Sequence, residues 1–409
     1  MTRAATALVA LLVSCGLPVT AAVAAPQISA PSAIVQDAVS GEVLYERAAD
    51  SRRPIASTTK LMTALLVLER SRLSDVVPAA RYRALAVESK LGLRPGERMT
   101  VADLLRGLLI ASANDAAVTL AQHVSRTPAA FVGEMNRRAA ALGLRDTRFA
   151  NPVGLDAPGN YSTARDLVKL TLALRAFPFF RRVVDTRSTT LESGARPRTI
   201  VNRNQLVREV DEVDGVKTGR TQGAGYVLVG SATRRRIRLI SVVLGTPSEA
   251  ARNVDSLKLL RFGFSKYRVS TAVARRQVLG RVPIRFRTGA ELDLVASRTV
   301  RRSIRRGSRL ERRVMGAPQE VEGPIREGQR LGTIEIFLDG RRVSRVPLVA
   351  ASSVAEAGTT RRAKEFLTRP STLGLLAVAV LASFLTVSVA RRARSRGTRR
   401  TESRGAPAA

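Results

Sequence analysis

The chain lacks most of the residue types that hydrolases commonly use. It has 409 residues but a single cysteine, Cys15, a single histidine, His123, and no tryptophan. Cys15 lies in an apolar N-terminal segment, so the body of the chain has no cysteine nucleophile, no disulfide and no zinc–thiolate site. One histidine is too few for a histidine-rich metal site. We therefore expect neither a metal nor another cofactor.

His123 is also a poor candidate for a catalytic base. It lies in the helical run LAQHV and has no motif around it, which is typical of a structural or surface histidine. A Ser-His-Asp hydrolase would need this residue as its base. A hydrolase with this sequence must activate its nucleophile without histidine, and lysine is the base that remains.

Acidic residues are scarce as well. The 33 Asp and Glu stand against 68 Lys and Arg, which gives a formal net charge of +35. Such an excess concentrates anionic partners near the protein surface. Nucleic acid, anionic lipid and anionic cell-wall polymers are all candidate partners, and a merely solvated, arginine-biased surface is the alternative. The cellular location of the chain has to decide among them.

Residues 1–25 are typical of an export signal peptide. Arg3 gives a positive start, an apolar run follows from Ala4 to Val13, and small residues up to Ala25 offer a cleavage site. Two alternatives stay open. The segment also fits an uncleaved N-terminal anchor, and the tetrapeptide ending at Cys15 resembles a lipoprotein processing site that would leave a lipidated cysteine as the mature N-terminus.

A second apolar run lies near the C-terminus. Residues 371–390 carry no charge and would span roughly 30 Å as a helix, which is enough to cross the hydrocarbon core of a bilayer. A basic tail, residues 391–409, follows directly. Because such positive charge stays in the cytoplasm, we expect a single-pass membrane protein whose body faces the extracytoplasmic side. This orientation argues against nucleic acid as a partner.

The middle of the chain indicates two globular parts. In residues 26–266, strand patterns near both ends enclose helical patterns, which predicts an α/β or α+β domain with a sheet built from both termini. Residues 267–353 change to short alternating stretches with glycine turns, which predicts a small antiparallel β domain. A charged linker, residues 354–370, leads to the anchor. The predicted elements of the first part are strands within 32–49, a helix over 55–70, two helices within 101–124, a loop at 151–161, a helix over 163–175, strands at 226–232 and 237–244, and a helix over 249–264.

The segment Ser57-Thr58-Thr59-Lys60 places a serine and a lysine three residues apart. On a helix these two side chains share a face and can touch. A lysine in a dry pocket beside another cation loses proton affinity and can accept the serine proton. Taken alone, the pattern also fits a helix N-cap followed by an ordinary lysine.

Two further motifs change this interpretation. Ser112-Ala113-Asn114 falls in a polar break between apolar helices, where both polar side chains can point into a cleft. Lys217-Thr218-Gly219 opens a strand pattern, and its glycine permits close approach of a substrate backbone. Each motif alone has a structural explanation, as helix caps or an exposed charge. Together and in this order, the three motifs resemble the set S-x-x-K, S-D-N and K-T-G, which is the signature of penicillin-binding proteins and class A β-lactamases.

The sequence resembles the low-molecular-mass penicillin-binding proteins that act as D-alanyl-D-alanine carboxypeptidases. The resemblance rests on PIASTTKLMTALL, LLRGLLIASANDAA, NPVGLDAPGNYSTARDL, NRNQLV and VDGVKTGRTQGAGYVLVGSA. The segment EGPIREGQRLGTIEIFLDGRRVSRVPLVA resembles the C-terminal domain of the same family. The resemblance implies a β-lactamase/transpeptidase-like catalytic domain over residues 26–266, followed by the small β domain.

The resemblance also implies three catalytic residues. Ser57 would attack the carbonyl between the two terminal D-alanines of a peptidoglycan stem peptide, with Lys60 as general base. Ser112 would relay a proton to the leaving D-alanine, and water would hydrolyse the acyl-enzyme. β-Lactam antibiotics would acylate Ser57 and remain there as covalent inhibitors.

A second set of residues would bind the substrate, again by resemblance. Asn114 would hold the substrate amide and the lysine base. Lys217 and Thr218 would bind the terminal carboxylate, and Gly219 belongs to the same motif. The backbone N–H of Arg220 would form the oxyanion hole together with that of the nucleophile.

The sequence departs from the family pattern at three points. Ala113 stands where the family often has glycine, and Arg220 stands where members often have histidine or an aromatic residue. Some members carry an arginine near the carboxylate site after the strand that here ends at Gly245, whereas this chain continues Thr-Pro-Ser. Arg203 and Arg252 are the arginines that remain for that role.

Three alternative functions stay open. A class A β-lactamase needs a glutamate-held water, and the loop NPVGLDAPGNY has no glutamate. A D,D-endopeptidase would use the same residues to cut cross-links. A non-catalytic wall-binding protein could keep the same fold.

Overall fold

The computed structural model of the chain describes residues 24–360, 362–363 and 370–398. The chain divides into two compact units, Met1–Arg268 and Val269–Ala409. The predicted export signal, including Cys15, lies outside the described residues apart from Ala24 and Ala25. The linker and the basic tail are described in part.

The first unit alternates strands and helices along the chain. Its elements are β1 (Ser32–Asp37), β2 (Val43–Arg47), a 3-10 helix (Ala56–Thr59), α1 (Lys60–Arg70), β3 (Val76–Pro78), β4 (Arg98–Thr100), α2 (Val101–Ile110), α3 (Asn114–Ser125), α4 (Pro128–Ala141), α5 (Ala164–Leu174), α6 (Pro178–Val184), β5 (Ser188–Leu191), β6 (Arg198–Val201), α7 (Gln205–Glu209), β7 (Val213–Thr221), β8 (Gly225–Arg234), β9 (Ile237–Thr246) and α8 (Glu249–Ser265).

A five-stranded antiparallel sheet organises this unit, with strand order β2-β1-β9-β8-β7. Strand β1 pairs with β9, for example Ile34 with Val242, so the two ends of the unit meet in the middle of the sheet. Strand β7 ends the sheet on one side. The prediction of a sheet built from both termini and packed by helices is confirmed.

Several helices begin where a side chain caps them. Thr100, Thr163 and Ser248 each accept a hydrogen bond from the third backbone N–H that follows, at the starts of α2, α5 and α8. Helix α1 begins differently. The predicted helix over 55–70 starts as a 3-10 turn, Ala56–Thr59, and becomes α-helical only at Lys60.

The second unit is a small antiparallel β domain, as predicted. Its strands are β10 (Tyr267–Val273), which begins at the end of the first unit, β11 (Val278–Pro283), β12 (Glu291–Ala296), β13 (Val300–Arg305), β14 (Leu310–Met315), β15 (Arg330–Leu338) and β16 (Arg341–Ala350). Five form a sheet with order β11-β12-β16-β15-β14, and β10 pairs with β13. The core between them is aliphatic, with Ile334, Ile336 and Leu348 fully buried.

A long apolar helix, α9 (Pro370–Thr398), follows the β domain. Within it, the 19 residues Leu373–Arg391 are long and apolar enough to cross a membrane. Their side chains are exposed. The predicted anchor over residues 371–390 therefore coincides with a helix of suitable length and composition.

Candidate active site

The predicted nucleophile lies in a strained turn ahead of a buried helix. Ser57 is the second residue of the 3-10 turn, and Ala56 before it has φ +47°, in the left-handed region that favours glycine. Non-glycine residues in that region cost free energy and cluster at functional sites. The residues of α1 from Lys60 to Val67 are all buried, so the helix behind the serine is held on every side by the core.

Lys60 is the partner that the three-residue spacing predicts for Ser57. Its Nζ lies 2.9 Å from Ser57 Oγ and donates a 2.6 Å hydrogen bond to the carbonyl oxygen of Val153. The Lys60 side chain is completely buried. A buried amine in contact with a serine hydroxyl can accept the proton of that hydroxyl once the amine is neutral.

Burial lowers the pKa of Lys60 to about 7, because desolvation penalises the ammonium form. The negative charges of Glu88 and Asp115 act in the opposite direction and raise it. A substantial fraction of the amine is therefore neutral near neutral pH. The lowering comes from desolvation and not from a neighbouring cation.

The second motif lies in the break between α2 and α3. Ser112 has φ +62° and is 5% exposed, and Asn114 opens α3 and is also 5% exposed. The Asn114 amide Nδ2 donates a 2.6 Å hydrogen bond to Glu88 Oε2. The break thus holds both polar side chains in a nearly dry position.

The sequence gives no indication of Glu88, although the structure places it in the same cluster. Its Oε2 accepts hydrogen bonds from Asn114 and from the hydroxyl of Tyr82, and its Oε1 accepts one from the N–H of Leu85 at 3.0 Å. Burial alone would raise the pKa of Glu88, but these hydrogen bonds together with the charge of Lys60 lower it below its usual value. Glu88 is therefore ionised.

The third motif lies on β7, directly against the nucleophile. A Cβ built on Gly219 would be 2.8 Å from the backbone nitrogen of Ser57 and 2.9 Å from Cβ of Ala56. Both distances are shorter than real Cβ contacts. The glycine was predicted to admit a substrate backbone; in the structure it already admits the backbone of the serine turn.

Lys217, on the same strand, is a second buried lysine. It is 1% exposed, and its Nζ donates a 2.9 Å hydrogen bond to the carbonyl oxygen of Thr218. Burial is the main cause that lowers its pKa well below the usual value, and the positive charges of Lys60, Arg203 and Arg252 lower it further. The positive charge of Lys60 therefore disfavours the protonated form of Lys217.

The two arginines that the sequence left for carboxylate binding both act on Lys217 electrostatically, but only one is buried. Arg252 is 3% exposed and donates hydrogen bonds to Glu249 and to the neighbouring Asn253. The Arg203 side chain is exposed, and its backbone N–H bonds the carbonyl of Ile110. Of these two arginines, Arg203 is therefore the one whose side chain is accessible to an anion.

Arg220 follows the Lys-Thr-Gly motif on β7. Its side chain is exposed, and the guanidinium lies 5.3 Å from the ring centroid of Tyr226, its partner on β8. A cation over an aromatic ring is attracted by the quadrupole of the ring, even at an exposed site. The side chain of Arg220 is thus available to solvent beside β7.

The predicted loop at 151–161 forms the other wall. The carbonyl of Pro152 accepts a 2.7 Å hydrogen bond from Thr63, and a Cβ on Gly154, whose φ is +88°, would lie 2.0 Å from the carbonyl oxygen of Ala56. The Asp156 carboxylate accepts hydrogen bonds from Thr221 and Gly223, at the end of β7. The loop therefore connects the lysine, the serine turn and the strand.

His123 lies at the other end of α3 from Asn114. Its Nε2 is 3.9 Å from a carboxylate oxygen of Asp75, and the side chain is 30% exposed. Nine residues of helix correspond to roughly 13 Å. His123 therefore neighbours a surface carboxylate, whereas the basic group next to Ser57 is the amine of Lys60.

Comparison with known families agrees with this geometry. The family described as D-alanyl-D-alanine carboxypeptidase matches residues 19–248, and the C-terminal domain of penicillin-binding protein 5 matches residues 267–356. The chain is 33% identical over 337 residues to D-alanyl-D-alanine carboxypeptidase DacF of Bacillus subtilis (strain 168), covering 80% of this chain and 87% of that protein. It is 36% identical over 360 residues to DacC of Escherichia coli (strain K12), covering 84% and 89%.

Solved structures agree as well. Penicillin binding protein 5 from Haemophilus influenzae matches with a TM-score of 0.58 and 32% identity, covering 82% of this chain and all of that one. The Streptomyces K15 DD-transpeptidase matches with a TM-score of 0.57 and 36% identity, covering 59% of this chain. The chain belongs to the D-alanyl-D-alanine carboxypeptidase family of serine hydrolases, among the low-molecular-mass penicillin-binding proteins.

Proposed function

We propose that this chain removes the terminal D-alanine from peptidoglycan pentapeptide stems through an acyl-enzyme on Ser57. The observation that carries the proposal is the 2.9 Å contact between Ser57 Oγ and the amine of Lys60, whose pKa is about 7. General-base catalysis is most effective when the base titrates near the working pH.

In the acylation step, neutral Lys60 takes the proton of Ser57 as Oγ attacks the carbonyl carbon of the penultimate D-alanine. The C–N bond to the terminal D-alanine then breaks. The proton that Lys60 took is relayed through Ser112 to the nitrogen of the terminal D-alanine, which leaves as the amine of free D-alanine while Lys60 becomes neutral again. The backbone N–H groups of Ser57 and Arg220 stabilise the oxyanion, and losing one such donor typically costs 10²–10³-fold in rate.

Substrate binding is assigned to the β7 side of the site. Lys217 and Thr218 bind the terminal carboxylate, and Gly219 keeps their strand against the serine turn. Because its own burial depresses the pKa of Lys217, the arriving carboxylate supplies the negative charge that favours the protonated lysine. Asn114 holds the substrate amide on the opposite side.

Deacylation by water releases the shortened stem and restores Ser57. A fast β-lactamase would need a carboxylate free to hold that water. In the loop at 151–161 the only carboxylate, Asp156, already accepts hydrogen bonds on both oxygens. This favours slow release of a penicilloyl group, and therefore inhibition by β-lactams over their turnover.

The test is penicillin labelling followed by mapping of the modified peptide. We expect fluorescent penicillin to label the peptide that contains Ser57, with no labelling of Ser57→Ala, and purified protein to shorten pentapeptide stems by one D-alanine. Rapid hydrolysis of penicillin would instead identify a β-lactamase. Absence of labelling in the unmodified protein would identify a non-catalytic wall-binding protein.

A D,D-endopeptidase is the second candidate, because it would use the same residues on a cross-linked substrate. Mass spectrometry of digested peptidoglycan separates the two activities. Carboxypeptidase activity converts pentapeptide stems to tetrapeptides, whereas endopeptidase activity converts cross-linked dimers to monomers.

For location, we propose export by the N-terminal segment and a single membrane crossing by residues 371–390. The basic tail, residues 391–409, would remain in the cytoplasm, and the catalytic unit would face the wall. A protease added to spheroplasts should degrade the catalytic unit and leave the tail protected. Degradation of the tail alone would indicate the opposite orientation.

The net charge of +35 supports one more proposal, attraction to anionic wall polymers. Added salt should weaken binding of the protein to isolated wall material, because exposed charges more than about 10 Å apart are screened at 0.1 M salt. Binding that does not change with salt would assign the charge to surface composition alone.

A further inference from the structure

The cluster around Glu88 is the feature of the site that the proposed roles leave unused. Glu88 belongs to the segment 80–93, between β3 and β4, which is absent from the three sequence motifs. Its carboxylate nevertheless contacts the side chain of the motif residue Asn114 at 2.6 Å. Its negative charge is also the larger of the two that oppose the lowering of the Lys60 pKa.

The segment holds Glu88 in a fixed position against α3. The N–H of Asn114 bonds the carbonyl of Ser89 at 2.8 Å. The carboxylate of Asp115 accepts hydrogen bonds from the N–H groups of Leu91 and Gly92. These bonds tie the residues directly after Glu88 to the first turn of the helix that carries Asn114.

Packing on α2 adds a second attachment. A Cβ built on Gly107 would lie 2.5 Å from Cδ1 of Leu91, so the glycine leaves the space that the leucine fills. The segment is thus fastened to both helices that flank the Ser112 break. The Glu88 carboxylate is therefore held in place by the tertiary contacts of the segment that carries it.

The chemistry of a carboxylate determines what it does to an amide. An ionised carboxylate only accepts hydrogen bonds, so the amide nitrogen of Asn114 must face Glu88 and the amide oxygen must face away. The Tyr82 hydroxyl bonds the same Oε2. A short, charge-assisted hydrogen bond of this kind is roughly twice as strong as a neutral one.

We propose that Glu88 is a positioning residue of this active site: its carboxylate fixes the orientation of the Asn114 amide and provides a negative charge that acts on Lys60. The proposal rests on the proposed function. Two charged groups act on Lys60, namely the acidic Glu88 and Asp115. Glu88 is the only one of them that also bonds a side chain of the Ser-Ala-Asn motif through its own side chain.

The test is the pH dependence of acylation by labelled penicillin in the full-length protein. Glu88→Gln removes the charge but keeps an oxygen that accepts from Asn114. In a plot of the acylation rate against pH, the acid limb is the range in which the rate falls as the pH falls. The acid limb of Glu88→Gln should move to lower pH by on the order of one unit, because the ammonium form of Lys60 loses a stabilising charge. Its plateau rate should stay within about threefold of the unmodified protein.

Glu88→Ala removes both the charge and the acceptor. It should show the same shift of the acid limb, together with a plateau rate lower by about tenfold, since a hydrogen bond to a charged group is lost. Recovery of the plateau in Glu88→Gln relative to Glu88→Ala would identify the orienting role, which a general loss of stability cannot produce.

Two control variants separate charge from packing. Tyr82→Phe removes a hydrogen bond from the same carboxylate without changing its charge, and Glu192→Gln removes an exposed carboxylate from the same unit. Both should leave the acid limb in its original position. An unmoved limb in both Glu88 variants, or an equal shift in Tyr82→Phe, would overturn the proposal. Failure of the unmodified protein to be labelled would instead overturn the proposed function.

Discussion

The two units of the chain bury different kinds of residue. The β domain has an aliphatic core around Ile334 and Ile336, and its charged groups pair at the surface, as where Arg342 and Arg345 share the carboxylate of Glu335. The catalytic unit instead buries an unpaired lysine as completely as a core leucine. Lys60 is 0% exposed, and no carboxylate forms an ion pair with it among the described residues.

This difference distinguishes residues that stabilise the fold from residues whose side chains are suited to catalysis. Burying an amine without a contacting counter-ion costs free energy, which the protein reduces by letting the amine lose its proton. In a hydrolase that lacks a suitable histidine, such a neutral amine is the available base. The first unit bears this cost, whereas the described core of the β domain is aliphatic.

Among the variants that test this comparison, Ser57→Ala should have the largest effect on acylation. Acylation by labelled penicillin should become undetectable, a loss of about 10⁴-fold or more, because the hydroxyl that contacts Lys60 is lost. Thermal unfolding should be unchanged, since Ser57 is half-buried and its removal leaves no large cavity. Residual labelling in this variant would show that the nucleophile lies elsewhere.

Lys60→Met should uncouple activity from stability. Acylation should fall by about 10³-fold, because the proposed general base is lost. The melting temperature should stay the same or rise, since an apolar side chain of similar length replaces a buried amine. Calorimetry beside penicillin labelling makes the comparison, and a clear fall in melting temperature would contradict the view that Lys60 is kept for chemistry.

Paired glycine substitutions compare the two units directly. Gly219→Ala should lower acylation by about 10²-fold and destabilise the catalytic unit by about 1–3 kcal/mol, because its Cβ would meet Ser57 at 2.8 Å. Gly280→Ala, on β11 of the β domain, meets nothing within 4 Å and should be nearly neutral. Chemical denaturation and labelling of both variants provide the measurement, and equal effects would refute the packing argument.

The smallest expected effect concerns pH. Below about pH 7 the acylation rate should fall roughly tenfold per unit, because protonated Lys60 cannot accept a proton, and above it the rate should level off. The unfolded chain holds a proton on this lysine up to about pH 10.4. The free energy of unfolding should therefore rise as the pH increases from about 7 to about 10, which urea titrations at several pH values can measure.

Much of this arrangement could be predicted from the sequence. The spacing of Ser57 and Lys60 predicted their contact, and the strand patterns at both ends of the catalytic unit predicted one sheet. These features are local, because periodicity and motif spacing depend on side chains close together in the chain. No predicted element covers helix α4, although Thr127 and Pro128 carry the cap and first-turn signals that begin it.

Other parts of the site could not be predicted, for two physical reasons. The hydrogen bond from Lys60 to Val153 uses a backbone carbonyl, which every residue has, so no residue type marks it. Glu88 reaches Asn114 across 26 residues of sequence, from an irregular segment without periodicity. The 3-10 turn at Ser57 depends on the packing of Gly154 and Gly219 against it, and such tertiary contacts leave no signal in the local sequence.

The position of β7 at the end of its sheet has a consequence for how a peptide is chosen. An edge strand has backbone N–H and C=O groups that face away from its neighbour, and an extended peptide can hydrogen-bond to them as one more strand. Sliding such a peptide by two residues would bring a different carbonyl to Ser57. We expect the end of the peptide, stopped at its terminal carboxylate by Lys217, to set this alignment, so that the bond that is cut is selected by counting from the terminus.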